Sequence, residues 1–175
     1  MTEHVCSKID RIEHFATPDK PYHFRDSGLP NVYLIGIKYW ACEKCGALAA
    51  EIPAPTQLMN VIAESVVMKK GILHGEEIKF LRKRAGKKAA DFAGLVGTSP
   101  EHFSRLETGK HTVSEPLDKL IRLTYGMIVD DHVILAKIAK NVEAWLNSIK
   151  EKSVESIQIR KIESPEQWCT DQKAA

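Results

Sequence analysis

The sequence predicts an α+β fold, and three observations predict it. Between Tyr22 and Ile52 the chain is rich in β-branched and aromatic residues separated by turn signals. From Thr56 to Gly126 apolar residues recur at helical spacing, with Gly and Pro at the breaks. Beyond Gly126 a longer helical stripe gives way to a short alternating segment. The 175 residues therefore divide into a small N-terminal antiparallel β domain at 1–55, a connecting helix at 56–71, an all-α domain at 72–126, and a C-terminal helix with a short strand and tail at 127–175.

Within the β domain, residues 1–20 have weak periodicity, and Thr17-Pro18-Asp19-Lys20-Pro21 reads as a loop. Tyr22–Arg25 is a short strand, residues 26–31 a turn, and Val32–Trp40 a longer strand. Cys42-Glu43-Lys44-Cys45-Gly46 follows it, and Ala47–Ile52 returns as another strand, stopped by Pro53-Ala54-Pro55. Thr56 caps the connecting helix, whose Leu58, Val61, Ile62 and Val66 keep helical spacing until Lys69-Lys70-Gly71.

The all-α domain opens with Ile78 and Leu81 on a helix that ends at Gly86. Phe92, Ala93 and Val96 give a second short helix closed by Gly97. Thr98 or Ser99 caps a third, Pro100 occupies its first position, and Phe103 and Leu106 point inward. Two short helices joined by a tight, Gly-containing turn form the helix-turn-helix unit, whose second helix enters the major groove. Leu117, Leu120 and Ile121 mark a fourth helix ending near Gly126. Asp130-Asp131 start a fifth, with Ile134, Ile138, Val142, Trp145, Leu146 and Ile149 in one stripe suited to core or dimer contact. Ile157, Ile159 and Ile162 alternate as a C-terminal strand, and Trp168 and Cys169 are placed to pack back.

Composition narrows the function. The net charge of +2 is too small to imply a nucleic-acid partner, so a basic footprint must be local. It is: Lys69, Lys70, Lys79, Arg82, Lys83, Arg84, Lys87 and Lys88 stand against only Glu76 and Glu77. Beside a helix-turn-helix, this cluster suits phosphate contact better than a merely solvated face. The N-terminus has no signal-peptide core and no later run approaches a membrane span, so a cytoplasmic protein without a membrane partner is expected. In that compartment cysteines stay reduced, which favours metal binding or burial over disulfides. No nucleophile–base pairing or phosphate-cradling Gly loop is present and the seven His are scattered, so enzyme activity is not expected.

Cys42-x-x-Cys45-Gly46 is half of a structural zinc site. Cys6, with His4 or His14, Cys169, or a second subunit, could supply the remaining ligands. Three readings stay open: a structural zinc ion, a remnant knuckle without metal, and a redox dithiol. The last is weakest, because the motif joins two strands and lacks the helix start that lowers a thiol's pKa.

The series Leu81-Arg82, Gly86, Ala93, Gly97, Ser99, Phe103-Ser104-Arg105, Glu107 and Gly109 resembles a lambda-repressor/Cro-like helix-turn-helix over roughly residues 72–126. The resemblance implies that the start of the third helix addresses base edges, which makes Ser99, Glu101, His102 and Arg105 candidates. Arg105 suits bidentate donation to guanine N7 and O6. Ser104 serves either the fold or a phosphate, Lys87 and Lys88 the DNA backbone, and Lys110 with His111 phosphates or water. Arg82 and Glu107 match a pair that bridges the first and third helices, while Ala89 stands where the family usually carries Gln.

Ser27–Leu34, the Cys-x-x-Cys-Gly, Ile52-Pro53 and Glu77–Arg82 together resemble MqsA-type antitoxins with a YgiT-type zinc-finger domain, over roughly residues 22–126. That resemblance implies a zinc domain that masks a toxin ribonuclease and a dimeric DNA-binding domain that represses its own operon from a palindromic site. The chain departs from it in lacking a first Cys-x-x-Cys and in the tail beyond Gly126; Glu101 also replaces a base-reading amide. The expected function is thus a sequence-specific repressor and antitoxin acting as a homodimer. A stand-alone regulator of the same build is the alternative, and a non-DNA adaptor the third class.

Overall fold

The computed structural model describes residues 11–129, 132–140, 143–144, 157–162 and 167–170. The fold is α+β, with seven strands and six α-helices among the described residues. It divides into two compact units. The first comprises the described parts of Met1–Arg25, Asn31–Val61 and Ser156–Ala175, and the second those of Asp26–Pro30 and Ile62–Glu155.

The first unit holds two sheets. Strands β1 (Arg11–Phe15), β4 (Lys38–Cys42) and β5 (Leu48–Ala50) form an antiparallel sheet in the order β1-β4-β5. Strands β2 (Tyr22–His23), β3 (Val32–Ile35), β6 (Ile157–Ile162) and β7 (Gln167–Thr170) form the other, in that order. The expected long strand 32–40 is therefore two strands in different sheets. Gly36 breaks it with φ +81°, and its N–H donates to the Ala16 carbonyl at 2.9 Å while the Ala16 N–H donates to that of Ile37. Strand β1 was not expected. Four of its five residues are exposed, so it needs no buried face and leaves no apolar alternation to read.

The expected C-terminal strand exists and is joined to the N-terminal sheet. Leu34 pairs with Ile159 in a parallel ladder, and both are fully buried. Trp168 on β7 is buried, and its indole N–H donates to the Pro53 carbonyl at 2.9 Å. Strands β6 and β7 thus complete the β unit, where the sequence grouped these residues with the C-terminal helix.

Helix α1 (Pro55–Met68) buries Leu58, Ile62, Ala63, Val66 and Val67. In the second unit follow α2 (Gly75–Arg84), α3 (Ala89–Leu95), α4 (Pro100–Glu107), α5 (Glu115–Ile128) and α6 (His132–Lys140). Gly86 and Gly97 end α2 and α3 at φ +66°, and the N–H groups of Lys87 and Thr98 reach back to the carbonyls of Arg82 and Ala93. Gly126 does not end α5. It is buried inside the helix, and a Cβ there would lie 3.1 Å from the Leu135 side chain, so its lack of a side chain lets α6 approach. Leu120, expected inward, is 42% exposed, whereas Ile121 and Ile134 are fully buried. Asp130 and Asp131, expected to start the fifth helix, and Val142, Trp145, Leu146 and Ile149, expected to extend its stripe, lie outside the described residues, as does the side chain of Ile138.

Candidate nucleic-acid interface

Helices α3 and α4 meet through Phe92 and Phe103, both fully buried, with ring centroids 5.5 Å apart. The turn between them is Val96–Ser99. The Ser99 hydroxyl caps α4 by accepting the His102 N–H at 3.1 Å, and Pro100 follows at the start of the helix. Phe103 and Leu106 turn inward, which leaves Glu101, Ser104 and Arg105 exposed on the outer side. Glu101 and Arg105 are four residues apart and share that face. His102 lies one position round the helix and is half-buried, its ring in an edge contact with His111 at 5.4 Å.

The position of α4 is fixed from behind. Arg82 of α2 donates to Glu107 of α4 through Nε at 2.6 Å and Nη2 at 3.0 Å, and through Nη1 to the Lys87 carbonyl at 2.8 Å. Such a two-pronged pair fixes orientation as well as distance. The pair expected from the sequence is present, and it also ties down the turn carrying Lys87 and Lys88, both exposed, with Lys88 at the N-cap of α3. Lys110 is exposed beyond α4.

One contact was not foreseen. A Cβ at Gly75 would lie 2.6 Å from the Leu106 carbonyl oxygen and 2.7 Å from that of Glu107, so only glycine lets the start of α2 meet the end of α4.

The basic cluster is smaller than its sequence suggests. Lys69 is nearly buried, with Nζ 2.7 and 3.0 Å from the carboxylate oxygens of Glu77, which also accepts the His74 N–H. Lys69 and Arg82 are thus committed to the fold. Lys70, Lys79, Lys83, Lys87 and Lys88 remain as exposed cations in this stretch.

A second buried network anchors the segment before α2. Arg122 of α5 is fully buried and donates to the carbonyls of Val67 at 2.8 Å, Lys69 at 2.7 Å and Gly71. Its Nε donates to Asp118 at 2.8 Å, and Asp118 accepts the Leu73 N–H at 2.7 Å. Burial pushes the Asp118 carboxyl up and Arg122 opposes this; burial likewise pushes Arg122 down against the pull of Asp118. In sequence the two look like an ordinary surface pair four residues apart. Only the chain some fifty residues upstream, which supplies the carbonyls, explains their burial.

These are the parts of a DNA reader: a tight turn, a capped second helix with a free outer face, and flanking cations. Residues 75–126 match the family described as a helix-turn-helix domain. No curated protein and no solved structure matches the chain. The helix-turn-helix domain is a DNA-binding and transcription-regulating module, and α3 and α4 are the two helices on either side of its turn. Among the described residues, no helix is long and apolar enough to cross a membrane.

The cysteines are less complete. Cys42 is buried at the end of β4 and Cys45 exposed, in a hairpin closed by the Gly46 N–H donating to the Cys42 carbonyl at 2.8 Å. Cys6 lies outside the described residues. Among the described residues no group of three His, Cys, Asp or Glu side chains is placed to hold a metal ion, so Cys42 and Cys45 alone do not make a tetrahedral zinc site.

Proposed function

We propose that the protein is a transcriptional repressor that binds a palindromic operator as a homodimer, with α4 of each subunit in the major groove. The observation that carries this reading is the exposed pair Glu101 and Arg105 on a recognition helix locked by Arg82–Glu107. Arg105 donates to a guanine edge, and Glu101, which can only accept, pairs with a cytosine amino group. Lys87, Lys88 and Lys110 neutralise phosphates, and Ser104 contacts the backbone. Two-fold symmetry places the half-sites about 34–36 Å apart.

The finer reading is that the repressor is the antitoxin of a toxin–antitoxin pair and controls its own operon. Its support is the motif series that resembles MqsA-type antitoxins. The stand-alone regulator is the second reading, favoured by the sequence's lack of a first Cys-x-x-Cys and by its tail beyond Gly126. Promoter binding measured with and without the neighbouring gene product separates them. A small ribonuclease encoded alongside, inhibited by this protein and altering its grip on the promoter, supports the antitoxin; its absence leaves the stand-alone regulator.

A further inference from the structure

Helix α4 and the loop beyond it carry an imidazole pair. His102 on α4 and His111 beyond its C-terminal end meet edge to face, with centroids 5.4 Å apart and planes at 70°. The His111 N–H donates to the Arg105 carbonyl at 3.2 Å, which ties the loop to the last turn of α4. His111 is exposed, and His102 sits on the flank of the helix, off the face shared by Glu101 and Arg105. Of the common side chains, imidazole is the one that ordinarily changes charge between about pH 5 and 8.

We propose that His102 and His111 form a proton-dependent phosphate contact beside the reading face. The proposal rests on the DNA-binding reading of α4. A protonated imidazole donates through both ring nitrogens and carries a positive charge, which suits a phosphate oxygen. The charged groups around the pair are Arg105 and Glu101 on α4 and Lys110 in the loop. His111 also lines a cavity of about 170 Å³ together with His74 and Gly75, the first residue of α2, a helix whose first turn carries Glu76 and Glu77. A DNA phosphate passing beside α4 is the anion that such a charge would meet. Because the pair lies to the side of the base-reading face, the added charge strengthens binding to any sequence.

The test is fluorescence anisotropy on the full chain with two duplexes of equal length. One is a sequence recovered by the wild type from a randomised pool, the other an unselected sequence, each titrated at pH 8 and pH 6 over a range of salt. The wild type should bind both duplexes about fivefold tighter at pH 6 than at pH 8, as one further charge-assisted phosphate contact requires. Its salt slope should steepen by about 0.9, for one more neutralised phosphate. The double variant His102→Gln with His111→Gln should lose both effects. His111→Gln alone, at an exposed position, leaves the fold intact and should already shrink the pH effect. An unchanged pH dependence in these variants overturns the proposal, as does a gain confined to the selected duplex, which would make the pair a base contact. If the wild type binds neither duplex at either pH, the DNA-binding reading falls and the proposal with it.

Discussion

At Arg105 and Lys88 the same charge is expected to do two different jobs. Arg105 stands on the outer face of α4, whereas Lys88 occupies the N-cap position of α3. Arg105→Ala should cost about 1–3 kcal/mol on the selected operator and little on unselected duplex, so that sequence preference relaxes. Lys88→Ala should weaken both equally and lower the salt slope by about 1. Competition titrations with the two duplexes read both effects. Gly75 makes a prediction of another kind, since its missing Cβ faces two backbone carbonyls that cannot step aside. Gly75→Ala should cost about 1–3 kcal/mol in denaturant unfolding, through displacement of α2 from α4. A loss of only a few tenths would mean that the helices tolerate the shift. Arg105 and Lys88 could be picked out from type and spacing. The need for glycine at 75 could not, because it arises from the chain thirty residues later.

Among the elements, α2, α3 and α4 were legible because each ends in its own local signal: glycine at 86 and 97, and the Ser99-Pro100 start of α4. The two sheets were less legible. The residues from Val32 to Trp40 read as one strand because nothing local reveals that Gly36 turns the chain from one sheet into another. Strand β1 was hidden by its exposure. The Asp118–Arg122 network was hidden because its partners are main-chain carbonyls far away in sequence. That network should be strongly coupled. Arg122→Met leaves three buried carbonyls and a buried carboxyl without their donor, and should cost about 3–5 kcal/mol. Adding Asp118→Asn should cost less than the sum of the single changes, by about 0.5–3 kcal/mol in a double-mutant cycle. Simple additivity would show that the two side chains act independently.

For the whole molecule, the change from strand to helix periodicity near Thr56 marks the start of α1 at Pro55. The return of the C-terminal strands to the N-terminal sheet was not legible, since parallel pairing between residues more than a hundred positions apart has no local signature. That closure is testable by hydrogen exchange. Ile159→Asp places a charge at a fully buried position and should cost protection in Val32–Ile35 and the C-terminal strands, with the helix-turn-helix amides retaining theirs. Loss throughout would show that the two units fold as one. The account as a whole turns on α4 reading DNA. The most direct measurement is the ratio of affinities for a selected and an unselected duplex, taken for the full chain and for Arg105→Ala at a fixed salt concentration. The account predicts a clear preference in the wild type that Arg105→Ala reduces by about tenfold or more, with binding to the unselected duplex nearly unchanged. Equal losses on both duplexes, or a wild type without preference, would contradict it.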